Sequence, residues 1–440
     1  MKNKIRISIV FLSLVICSCV VQAQSGLNIR DVHGRLKEKS TFEPTRISVE
    51  DVRHVSADFI SYADTVVLRN SAIILRKDLD FSPYFELVPL DSFFMKHMEL
   101  REMSLLAWQR LGSQYLVKLE AEFPREDIRI KYRLYNVETG REIKSKGFKT
   151  KIDDYRALVH TIANDIVKTL TGDDGIYMTR IVYAKLTDST KELYMADYDG
   201  YNEHPLTNNN SINISPSAGP DGKYIYFTSY MDGEPKLYRL ALKDNSVKLI
   251  SGQPGINAAP AVSPDGKSVA CVLSKDGNSE IYLLDTSGKI KKQLTKSFAI
   301  ESSPTFSPDG KEIAFTSDRT GSQQIYVMDT EGGNMRRLTY QGGYNDSPCW
   351  SPKGDRIVFA SRLGSFKICS IDLSGRNFQI LADLGNNENP HFSPDGNHII
   401  FSSNRLGPTD IYTMDLFGNS QRRITRRSGF SNPIWLPERK

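Results

Sequence analysis

Residues 304–317 read Pro304-Thr305-Phe306-Ser307-Pro308-Asp309-Gly310-Lys311-Glu312-Ile313-Ala314-Phe315-Thr316-Ser317. A short strand led by proline enters the turn Ser307-Pro308-Asp309-Gly310. Proline presets φ for the second position of a type I turn, Asp suits the third and Gly the fourth. In the strand that follows, Ile313 and Phe315 alternate with other residues. A loop holding Gly321, a third strand over 324–329, a turn at Gly332-Gly333 and a last strand ending at Leu338-Thr339 complete four antiparallel strands. The block recurs from Pro216, Pro260, Pro348 and Pro390, with leading prolines 44, 44, 44 and 42 residues apart, and a sixth start, Pro433, lies 43 residues on. A period of about 40–45 residues with several strands per unit predicts a β-propeller.

The ring is predicted to close by exchange. Residues 180–207 supply three strands without a first one, and 433–437 supply a first strand without successors. Together they make a sixth blade, and because one blade cannot bury its own faces this seam should carry much of the cooperativity. Asp197, Asp285, Asp329, Asp372 and Asp415 end third strands. They form either a ring of metal ligands or turns in which each carboxylate accepts from backbone N–H groups, and the second reading follows more directly from Asp chemistry.

The chain opens with Lys2, Lys4 and Arg6, an apolar run over 7–16 and Val21-Gln22-Ala23, the pattern of an export signal cleaved after Ala23. The run is too short to span a bilayer; lipidation at Cys19 is the alternative. Loss of residues 1–23 lowers the formal charge from +5 to +2, too balanced for attraction to nucleic acid or a membrane surface. The run Arg422-Arg423-Ile424-Thr425-Arg426-Arg427 reads as a solvated edge rather than a phosphate site. Cys271, Cys349 and Cys369 fall in different blades at different places and read as buried strand residues, not a disulfide framework.

Residues 24–172 carry no repeat. Helices are predicted over 63–77, 104–111 and 155–170, the last with Leu158, Ile162, Ile166 and Leu170 on one face and Thr171-Gly172 as its stop. Strands are predicted over 114–123 and 127–135, with a third after the turn Glu138-Thr139-Gly140. The fold class is an α+β N-terminal domain followed by a six-bladed β-propeller over 176–440. Residues 24–46, with Arg30, Arg35, Lys37, Lys39 and Arg46, read as a mobile recognition arm.

Three places before the first five repeat prolines stand Asn213, Asn257, Glu301, Asn345 and Asn387, two places before the sixth stands Ser431, and four places before the first four stand Ile212, Ile256, Ile300 and Tyr344. A polar ring with an apolar companion suits docking of a protein loop; alternatively the Asn residues cap turns and the Ile residues plug seams. Ala259, Ser302, Ser303 and Asp346 share these loops. No Gly-x-Ser-x-Gly or His-Glu-x-x-His stands in the sequence, and His391 is the one histidine on a predicted inner strand. The reading is a non-enzymatic monomer without catalytic residues, metal or cofactor. A secreted glycan-binding or small-ligand-binding propeller is the alternative.

The segments Leu170-Thr171-Gly172, Ala196-Asp197-Tyr198-Asp199-Gly200-Tyr201-Asn202 and the Ser-Pro-Asp-Gly-Lys repeats, in this order after an export signal, resemble the TolB family, periplasmic components of the Tol-Pal envelope system. The resemblance covers the mature chain. It implies an adaptor that binds a peptidoglycan-associated lipoprotein (Pal-like) on one propeller face, through the loops before the repeat prolines, and supports outer-membrane integrity and constriction at division. It implies contact of a short N-terminal stretch with a TolA-like inner-membrane protein. Here that stretch is Leu27-Asn28-Ile29-Arg30-Asp31-Val32, whose alternation fits strand addition to a partner. The long basic run after it departs from the family pattern.

Overall fold

The computed structural model describes residues 43–56, 59–88, 104–426 and 429–438. The export signal, Cys19 and Leu27–Val32 therefore lie outside the described residues.

The first domain is a five-stranded sheet covered on one face by two helices. Its strands are β1 (Thr45–His54), β2 (Phe85–Leu87), β3 (Tyr115–Glu122), β4 (Asp127–Asn136) and β5 (Glu142–Lys151), in the order β2-β1-β3-β4-β5. β1 runs parallel to both of its neighbours, while β3, β4 and β5 are antiparallel. Helix α1 (Tyr62–Phe81) starts at a capping box, with Ser61 and Asp64 each bonding the other's backbone N–H. Short helix α2 (Leu105–Arg110) covers the opposite sheet face, where the Trp108 indole N–H donates to Glu50 at 3.0 Å. Helix α3 (Tyr155–Thr171) stops at Gly172, whose φ of +83° is the left-handed stop a glycine permits.

β1 is a correction to the sequence reading. It begins at Thr45, inside the segment read as an arm, and it is an inner strand of the sheet. A bulge between Val49 and Val52 breaks the alternation that would have marked it.

Each of blades one to five (first strands Asn213–Ala218, Asn257–Val262, Glu301–Phe306, Asn345–Trp350 and Asn387–Phe392) is a four-stranded antiparallel sheet. The sixth joins Phe430–Trp435 to Arg180–Thr187, Thr190–Asp197 and His204–Pro205, with Trp435 opposite Ile181 and Ser431 opposite Ala184. The Asp residues at the third-strand ends hold turns: Asp329 accepts from the N–H of Glu331 and Gly333, and Asp372 from Ser374 and Arg376. Hydrogen bonds to backbone and side-chain donors outweigh burial and keep both carboxyls below their ordinary range. Cys271, Cys349 and Cys369 are buried and free; the reading that they fall in three different blades is corrected, since Cys349 and Cys369 stand on the first and third strands of blade four. Among the described residues, no helix is long and apolar enough to cross a membrane.

The two parts share a core. One apolar cluster runs from Leu75 and Leu79 of α1 and Ile162 and Ile166 of α3 to Ile400, Ile411, Phe430 and Trp435 of the propeller. Phe81 stacks on His398 at 4.2 Å, and the His398 Nε2–H donates to the Phe81 carbonyl at 2.8 Å. The Trp435 indole N–H donates to Thr179 at 2.7 Å. In a four-stranded meander the loops entering the first strand and those joining second to third strands lie at one end. The first domain packs against the other end, under blades five and six.

Candidate functional site

The open end of the propeller carries the loops that enter each first strand, and there the structure separates the two predicted rings. Asn213, Asn257, Glu301, Asn345 and Asn387 are all 0% exposed. Their position as surface contacts is corrected: each is turned into a blade seam. Asn213 Nδ2 donates to Glu192 at 3.0 Å, Asn345 Nδ2 donates to Gln324 at 2.9 Å, and Asn257 and Asn387 donate to loop carbonyls. Buried amides need such partners, and an Asn here satisfies the loop's own backbone. Ser431 is half-buried, within 3.4 Å of Lys191 Nζ.

The companion ring is the surface. Ile212, Ile256 and Ile300 are 41%, 43% and 51% exposed, and half-buried Tyr344 packs edge-on against Phe366 at 5.7 Å. Phe298 and Leu384 of the same loops, Tyr340 just before one of them, and Tyr230 and Leu406 of the neighbouring loops, are also exposed. An apolar collar thus surrounds the channel mouth. The sequence reading missed the outer members. Their signal was large apolar residues six to eight places before a repeat proline, or just after a second strand, where a solvated loop has no need of them.

Inside the collar the channel narrows to a cavity of about 170 Å³. The residue before each repeat proline, Ser215, Ala259, Ser303, Ser347, Asn389 and Asn432, has φ between +49° and +54°. This left-handed conformation is costly for non-glycine residues, and proline disfavours helical backbone before it. It coincides with a bulge in every first strand. Ala259 and Ser303 therefore line the channel, while Ser302 and Asp346 are half-buried beside it. Asp346 Oδ1 accepts from Ser303 at 3.1 Å and from Thr316 at 2.8 Å.

One position past each repeat proline, the channel wall carries Ser217, Ala261, Thr305, Cys349, His391 and Ile434. Burial lowers the His391 imidazole to about 4 and raises the Cys349 thiol to about 12. The imidazole is thus held neutral and the thiol protonated. Among the described residues, no group of three His, Cys, Asp or Glu side chains is placed to hold a metal ion.

The geometry defines a class: a six-bladed propeller closed by its own last strand, with an α/β domain docked at one end and an apolar collar open at the other. The family models agree in both parts. Residues 167–439 match the TolB beta propeller domain and residues 38–143 the TolB amino-terminal domain. The chain belongs to the TolB family. It is 37% identical over 181 residues to the Tol-Pal system protein TolB of Desulfosudis oleivorans, covering 40% of this chain and 41% of that protein. It is 37% identical over 163 residues to the protein of the same name from Geobacter sulfurreducens, covering 37% and 38%. These matches span about four tenths of the relatives' length. The crystal structure of TolB from Acinetobacter baumannii superposes with a TM-score of 0.78 at 25% identity, over 90% of this chain and 97% of that one.

Proposed function

We propose that the protein is a periplasmic, non-enzymatic adaptor of the Tol-Pal system. Its propeller collar docks a peptidoglycan-associated lipoprotein, and its N-terminal segment at Leu27–Val32 contacts a TolA-like inner-membrane protein. Through these contacts it supports outer-membrane integrity and constriction at division. The observation that carries the reading is the collar: exposed Ile212, Ile256, Phe298 and Ile300 around a channel mouth, at the end the first domain leaves clear. Apolar side chains clustered within a polar surface mark a protein interface. Family membership and relatives named as Tol-Pal system proteins support the choice of system.

The docking residues are Ile256, Ser302, Ser303, Ala259 and Asp346. Asn213, Asn257, Glu301, Asn345, Asn387 and Ser431 act behind them by fixing the loops. The test is a cross-linked pull-down from the detergent-solubilised envelope of the source cells with the exported chain as bait. Recovery of an outer-membrane lipoprotein with a peptidoglycan-binding domain is expected. A bait that retains saccharides and enriches no protein would instead mark a glycan-binding propeller.

A further inference from the structure

We propose that the cleft between the first domain and blades five and six is a second binding site, and that it takes a short acidic peptide. The cleft measures about 880 Å³ and is walled by α1, α3, the turn after Asp197 and the run Arg422–Arg426. The basic run, on the outer edge strand of blade five and the loop that enters blade six, thus lines a cavity that runs along the seam of these blades from the first domain toward the collar end. The volume matches sites that bury most of a small ligand.

The charge on this wall is unequal once its existing pairs are counted. Arg156 bonds Asp199 at 2.5 Å, Arg422 bonds Asp80 at 2.6 Å and Arg423 bonds Asp410 at 2.5 Å. Glu203 is held by Lys185 at 2.9 Å. Asp78, 1% exposed, is engaged by His160 Nδ1 at 2.8 Å and by the Tyr198 hydroxyl, and burial raises its carboxyl above the ordinary range. Every acid on the wall therefore has a partner within the protein. Lys77 and Arg426 line the same cleft, both exposed, and no ion pair engages either among the described residues. Two unneutralised cations facing one cavity call for two carboxylates.

The rest of the wall favours a peptide over an inorganic anion. Tyr201 is 54% exposed, and its ring is held flat by the Arg156 guanidinium 3.9 Å from its centroid. Half-buried Ile424 adds apolar surface beside it, over a floor of the buried Ile74, Phe81 and Phe430. Such a wall suits a segment with an aromatic or aliphatic side chain between acidic ones.

The test is fluorescence polarisation of the purified protein with a labelled hexapeptide, Glu-Asp-Phe-Glu-Asp-Leu, and with its Lys-for-acid counterpart. The acidic probe is expected to bind in the micromolar range and to weaken as salt is raised. The double charge reversal Lys77→Glu with Arg426→Glu should weaken it at least about tenfold and transfer binding to the basic probe. Both residues are exposed, so a thermal melt matching the parent is expected and separates lost binding from lost fold. No binding of the acidic probe at millimolar protein, equal binding by the reversed protein, or displacement by inorganic phosphate as readily as by unlabelled peptide would each overturn the proposal. Arg426 stands in a loop of the collar end and Lys77 on α1, so Lys77→Glu alone separates the two readings: it should weaken the acidic probe and leave lipoprotein capture unchanged, and unaltered probe binding by it would also overturn this proposal.

Discussion

Replacing Trp435 tests whether the closure strand also fastens the first domain. The side chain is 2% exposed, its indole N–H donates to Thr179, and its ring lies 6.3 Å from His398 and 6.4 Å from Phe81. Its core cluster contains α1, α3 and blade residues together. A buried Trp removes about 200 Å² from water, which at about 25 cal/mol per Å² is a ceiling of about 5 kcal/mol, since unfolded chains are partly collapsed. Trp→Ala in a core costs about 3–5 kcal/mol, and the lost hydrogen bond accounts for about 1 of it. Trp435→Ala should therefore destabilise by about 4 kcal/mol, and Trp435→Phe, which keeps most of the apolar contact, by about 1–1.5 kcal/mol. The assay is urea unfolding followed by far-ultraviolet circular dichroism and, in a Trp350→Phe background with Trp435→Phe as the reference, by fluorescence of Trp108, which then reports the first domain. With a shared core, both probes should move together in parent and variant. A loss under about 1 kcal/mol for Trp435→Ala, or a Trp108 signal that stays put while the circular dichroism midpoint shifts, would refute the reasoning.

Three further outcomes follow from particular residues. In blade three the seam position holds Glu301 against Glu280; each carboxylate keeps one buried oxygen without a partner, where other seams set Asn213 against Glu192 and Asn345 against Gln324. Arg319 bonds Glu301 as Arg405 bonds Asn387, so Glu301→Asn should be accommodated and should raise stability by about 1 kcal/mol; an unchanged or lower melting temperature would contradict this. His391 is held neutral with its imidazole lowered to about 4, against an ordinary value of about 6.5. Its contribution is therefore complete above about pH 6.5 and lost as pH falls toward 4, with a ceiling of about 3 kcal/mol because the ring lines the channel and is only half-buried. Replacing it by Thr, the residue of blade three, should flatten that part of the stability–pH curve measured by thermal melts, and an unaltered curve would refute the assignment. Asp395 is pushed up by burial but brought to about 2 by the His398 imidazole 3.8 Å away and by bonds from the Ser393 hydroxyl and the Asn397 N–H, so its share of stability is present above about pH 4 and lost only below. Asp395→Asn should remove acid sensitivity between about pH 4 and 2, read in the same melts.

Most of the blade architecture was legible because it is written in turn chemistry. Pro308-Asp309-Gly310 and its counterparts fix where first strands end. The 43-residue step to Pro433 reveals the missing strand. β1 was not legible, since its bulge after Val49 destroys the period-two pattern. The candidate site was half legible. The spacing located the right loops, but a residue type does not say which way its side chain points. Asn213 and Asn345 were read as part of a polar docking ring, with turn capping as the alternative, whereas each bonds a partner 21 residues earlier, Glu192 or Gln324, and is turned inward. That spacing is present in the sequence and only the fold gives it meaning. The run at Arg422 does form an exposed edge strand of blade five, as read; that a cleft also faces it depends on where α1 and α3 dock.

The most direct measurement is photo-cross-linking inside the source cells. A benzophenone-bearing residue replaces Phe298 or Ile256 on the collar and, in a control, Lys243 at the far end of blade one. The account predicts that both collar positions form an adduct with the same outer-membrane lipoprotein carrying a peptidoglycan-binding domain, while Lys243 forms none. Adducts from Lys243 alone, or collar positions that capture no protein at parental abundance and stability, would contradict it.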